Sequence, residues 1–84
     1  MSEAKARLVR ELTHLMRLPT GDKLSLQAFY AEAQAVLRRA KDGGVVVPAA
    51  AVEWISTAEQ RAKDPLSSAT QTAGLVAALR ELEG

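Results

Sequence analysis

Three prolines, Pro19, Pro48 and Pro65, punctuate an 84-residue chain whose apolar side chains otherwise recur every three or four positions. Proline has no backbone N–H to donate and its ring collides with the preceding turn, so it stands at helix ends or in first turns and not in helix interiors. Periodicity between such breakers predicts helices joined by short links.

In the first segment Ala4, Leu8, Leu12 and Leu15, joined by Val9 and Met16, fall on one side of a helix over residues 2–18. Ser2 can cap its start, Glu3 suits the positive end of the helix dipole, and Pro19 stops it near Leu18. Ser25 offers the N-cap of a second helix over 25–41, in which Leu26, Phe29, Tyr30, Ala33, Val36, Leu37 and Ala40 share one face. Arg38, Arg39 and Lys41 lie in its last turn, where cations favour the carbonyl end, and the Asp42-Gly43-Gly44 stretch supplies a left-handed stop. The valines at 45, 46 and 47 are strand-like but have nothing to pair with, so they are expected to form an extended connector that buries them.

Pro48 fits the first turn of a third helix over 48–63, with Ala51, Val52, Ile55, Ala58 and Ala62 as its stripe and Trp54 at the stripe's edge. Asp64-Pro65 repeats the cap-plus-proline signal, and Ser68 with Gln71 three residues on offers a second start. Thr72, Leu75, Val76, Leu79 and Leu82 line one face of the last helix, over 65–83. The expected fold is all-α, a single domain over 1–84 built as a compact bundle of about four antiparallel helices.

Composition excludes most chemistry. Without cysteine there is no disulfide or thiolate metal site, and a single histidine rules out a multi-histidine metal centre within one chain, so neither metal nor cofactor is expected. Carboxylates are scattered, with no glycine-rich phosphate loop or nucleophile elbow, so no catalytic residues are assigned and no enzyme is expected. A formal charge of +1 is far from the basic excess of domains that hold nucleic acid chiefly by electrostatics. No apolar run approaches the roughly 20 residues of a membrane span, and charges interrupt the first dozen residues where a signal peptide would be apolar. No membrane partner is expected, and the expected location is the cytoplasm. Abundant alanine, no asparagine and one isoleucine form a bias typical of GC-rich coding, which points to a bacterial or bacteriophage source.

The strongest surface feature is the polar side of the first helix, where Arg7, Arg10, His14 and Arg17 follow at spacings of three, four and three. They align along about 15 Å of helix at 1.5 Å per residue, an array able to grip an acidic protein surface or phosphates, or simply to keep the bundle solvated, with Glu3 and Glu11 partly neutralising it. Trp54 could close the core or anchor an interface. On the last helix Thr70, Ala73, Gly74 and Ala77 form a small-residue face, suited to close helix approach or self-association as a homo-oligomer, or else an exposed alanine-rich side.

His14 with Arg17 three positions on resembles the phosphorylated histidine of histidine phosphotransfer domains, helical bundles in which a nearby basic residue steadies the phosphoryl group. The stretch departs from that pattern by placing Leu18 where those domains usually carry glycine. The Leu18-Pro19-Thr20-Gly21 run lacks the residue a sortase signal carries between proline and threonine, and the Asp64 to Ser68 run reverses the Asp-Ser-Leu order of acyl carrier proteins. The link between the second and third helices is too long for a helix-turn-helix. The expected function is that of a small non-enzymatic regulator, accessory or inhibitor that binds a protein partner. Nucleic-acid binding through the first helix ranks second, and phosphotransfer through His14 third.

Overall fold

A computed structural model describes residues 3–83, all of whose regular structure is helical. Five helices follow one another: α1 (Glu3–Met16), α2 (Lys23–Asp42), α3 (Ala49–Ser56), α4 (Ala58–Lys63) and α5 (Pro65–Glu83). The all-α class expected from the periodicity is the one observed. Ser2, expected as the first cap, lies outside the described residues.

Helix α1 ends two residues before the expected Leu18. Backbone N–H groups of Arg17 and Leu18 donate to the carbonyls of His14 and Leu15 at 3.0 and 3.1 Å, the tight i to i+3 pattern of a closing turn. The start of α2 corrects a second expectation, since Asp22, and not Ser25, is its N-cap. Asp22 Oδ1 accepts from the Ser25 backbone N–H at 2.7 Å and Oδ2 from the Ser25 hydroxyl at 3.1 Å. An ionised carboxylate outbids a hydroxyl for the orphan N–H groups of a first turn because it carries full charge. That bond to the Ser25 backbone holds the Asp22 carboxyl below its ordinary range.

At its far end α2 stops as expected. Gly44 takes φ +75, Gly44 N donates to Lys41 O and Val45 N to Ala40 O, closing the paired bonds of a Schellman turn. The connector beyond it is extended, and Val45 and Val47 pack on the core, but Val46 is 85 % exposed, because alternate side chains of an extended segment point opposite ways. Asp64 Oδ1 accepts from Leu66 N at 3.1 Å, so α5 starts at Pro65 and the second start at Ser68 is not used.

The third segment departs most from expectation. Instead of one helix over 48–63 there are two, broken at Thr57. Thr57 Oγ1 donates to the carbonyls of Glu53 at 2.7 Å and Trp54 at 3.4 Å, and Ser56 Oγ to Glu53 at 3.0 Å. Side-chain donors so placed compete for helical acceptors and bend the backbone. The buried face is also turned: Ala51, Trp54, Ile55, Ala58 and Arg61 are buried, whereas Val52 is 46 % exposed and Ala62 faces solvent. Burying the large indole removes far more apolar surface from water than burying Val52 would, and it sets the rotation of α3.

Helix α1 packs on α2 and on α5, and α5 also packs on α3 and α4. The core between them holds Leu8, Leu12, Leu15, Phe29, Val36, Trp54, Ile55, Leu75 and Leu79. Replacing Leu12, fully buried, with alanine should cost about 2 to 5 kcal/mol in chemical unfolding, and the half-buried Leu37 clearly less. Equal losses at the two positions would contradict this packing. Replacing Asp22 with alanine should lower the melting temperature at pH 7. Because the folded-state pKa is depressed, the cap's contribution is present above the ordinary value of 3.8 and disappears as the pH falls through the lowered one. Variant and parent melting temperatures should therefore converge in acid.

Candidate functional site

The polar side of α1 is exposed as its periodicity requires, with Arg7, Arg10, His14 and Arg17 all facing solvent. Their charges are not equivalent. Arg7 Nε donates to Glu11 Oε1 at 3.0 Å, and Arg39 Nε from α2 reaches the same oxygen at 3.0 Å. Arg39 Nη2 also lies 3.6 Å from Glu32 Oε1. The hydrogen bond to Glu11 raises Arg39 above the usual guanidinium range. Arg39, expected merely to favour the carbonyl end of α2, thus ties α2 to α1. This pairing joins residues 28 apart in sequence and left no local signal.

Glu11 and Glu32 with Arg7 and Arg39 form a compensated cluster beside a groove of about 460 Å³ between α1 and α2, floored by Leu8 and Ala40. Arg10, His14 and Arg17 are left without an ion pair among the described residues. Arg17 lies in the turn that closes α1, one position outside the helix, so the expected helical stripe ends at His14. Arg10 to Arg17 still spans about 10 Å at 1.5 Å per residue.

Trp54 belongs elsewhere. It is 4 % exposed and packs edge-on against Phe29 with ring centroids 5.5 Å apart, so it closes the core and offers no anchor at the surface. Phe29 in turn meets Tyr30 at 5.6 Å, bringing all three aromatic residues of the chain into one cluster. Over the indole lies the guanidinium of Arg61, 4.0 Å from the ring centroid, a residue outside the expected apolar stripe. An arginine seven positions after a tryptophan returns to nearly the same helical face, and that spacing is the signal that could have found it.

Thr70, Ala73, Gly74 and Ala77 on α5 are all exposed, and a side chain at Gly74 would meet nothing within 4 Å. No helix among the described residues approaches there, so the close approach expected of these residues does not occur among them. No helix among the described residues is long and apolar enough to cross a membrane. No protein-family model matches the chain, and no curated protein or solved structure matches it significantly.

Glycine inside a helix costs about 1 kcal/mol relative to alanine, and Gly74 has open space beside it. Gly74→Ala should therefore raise the melting temperature by several degrees, about 4 to 8 °C per kcal/mol in a domain of this size. A fall in melting temperature that vanishes on dilution would instead reveal a second copy seated on this face.

Proposed function

We propose that this chain is a small, non-enzymatic cytoplasmic protein that docks the end of α1 on an acidic surface of a protein partner, acting as its regulator, accessory or inhibitor. The observation that supports this most is the asymmetry of the basic face: Glu11 and Glu32 pair with Arg7 and Arg39, while Arg10, His14 and Arg17 are exposed and make no ion pair among the described residues. Unpaired guanidinium groups in water keep their fork of donors available for carboxylates, and they speed encounter with an acidic partner.

The same groups could meet phosphates, which makes nucleic acid the alternative. It is disfavoured by the +1 formal charge and by the small number of free cations, which would neutralise few phosphates. Affinity capture from cells with the intact chain, followed by binding measurements on the captured partner, tests the proposal. Arg10→Glu with Arg17→Glu should abolish partner binding and shift stability by no more than about 0.5 kcal/mol, as solvent-facing substitutions usually do. Normal binding by this double variant at low salt, where charge contacts are least screened, would overturn the assignment. A steep salt dependence on RNA or DNA, lost in the same variant, would replace the protein partner with nucleic acid.

A further inference from the structure

Arg7 on α1 and Arg39 on α2 are held side by side by one oxygen atom. Both donate through Nε to Glu11 Oε1, at 3.0 Å each, and the Glu11 side chain is only 19 % exposed. Those bonds take one edge of each guanidinium. The Nη groups of Arg7 make no hydrogen bond among the described residues, and Arg39 Nη2 stands 3.6 Å from Glu32 Oε1, an ion pair beyond hydrogen-bond distance. Arg10 keeps its whole fork free of described partners. Like charges this close repel, and the shared carboxylate both offsets the repulsion and fixes where the outer edges of the two guanidiniums lie.

All three arginines line the groove between α1 and α2, together with the acids Glu3 and Glu11. Three guanidiniums against two carboxylates leave one positive charge. Glu32 lies outside this groove, further along the same seam beside His14. Leu8 and Ala40 at the floor are buried, so the contact the groove offers is polar.

We infer that this groove receives one carboxylate side chain, an aspartate or glutamate of the partner protein, between the outer edges of Arg7, Arg10 and Arg39. The inference rests on the protein-partner reading above and extends the contact from α1 onto α2 through Arg39. A free guanidinium edge matches a carboxylate in charge and in the spacing of two parallel hydrogen bonds. One excess positive charge suits one carboxylate, whereas a phosphate dianion would leave the groove negative.

Acetyl-hexaglutamate amide titrated into the intact protein at low salt tests the groove, with the arginine Nε–H proton resonances as reporters and a hexaglutamine peptide as the uncharged control. Saturable shifts at Arg7, Arg10 and Arg39 are expected. Arg39→Gln should weaken binding about fivefold or more, whereas Arg38→Gln, which removes the same charge from outside the groove, should leave it within about twofold. Glu11→Ala makes the face more positive by one charge, so diffuse attraction predicts tighter binding, while loss of the shared tether predicts binding weakened about threefold or more. Should that variant fail to fold, the contrast between Arg39→Gln and Arg38→Gln decides the matter. Tighter binding by Glu11→Ala, equal losses in Arg38→Gln and Arg39→Gln, no binding of hexaglutamate, or preferential binding of inorganic phosphate would each overturn the inference. Binding abolished by Arg10→Glu with Arg17→Glu yet indifferent to Arg39→Gln would overturn the groove and leave docking on α1 standing. Failure of the underlying reading looks different, since the captured partner would then bind that double variant normally.

Discussion

The stack of Arg61 on Trp54 on Phe29 is the contact on which the rest of this small structure hangs. It joins α2 to the α3–α4 corner, elements that otherwise meet mainly through α1 and α5. Trp54 supplies the largest apolar side chain of the third segment, and its burial fixes how that segment is rotated. Arg61 lies over the indole and takes the Trp54 carbonyl, so one residue covers an aromatic face and repairs the acceptor left by the break at Thr57. Thr57 Oγ1 also lies 2.9 Å from Gln71 Oε1, which sets the corner against α5.

The same stack explains why an energetically awkward residue is found in so small a core. An apolar side chain at position 61 could cover the indole but could not donate to the Trp54 carbonyl. Arginine does both, at the cost of a desolvated charge.

Charge on the outer surface is distributed by a different logic. Glu11 is placed by the helical repeat on the same side as Arg7, and packing brings Arg39 to the same carboxylate. Glu11 therefore bridges two bases and helps hold α1 to α2, with Glu32 as a second acid on Arg39, while Arg10, His14 and Arg17 make no ion pair among the described residues. The proposed contact surface is what remains of a basic face after the fold has used part of it for itself.

Much of the architecture was legible in the sequence because its determinants are local. Helix positions follow from three-to-four-residue periodicity and from breakers such as Pro19, Gly44 and Pro65, each acting on its own few residues. The buried faces of α1, α2 and α5 followed as well, since the spacing of their large apolar residues marks them. The third segment was different: Val52 and Trp54 made rival claims on the core, and nothing within the segment weighs them. The outcome depended on Phe29, which lies 25 residues away, and on Thr57 finding Gln71 across the corner. Likewise Asp22 or Ser25 could cap α2, and only the assembled turn shows the carboxylate in place. By itself the sequence determined that this is an all-helical chain, where most of its helices lie, and which arginines of α1 face water. Only the tertiary structure decided that Trp54 and Arg61 are interior and which cations are spent on Glu11, because burial and ion pairing between distant residues are settled by competition for shared space.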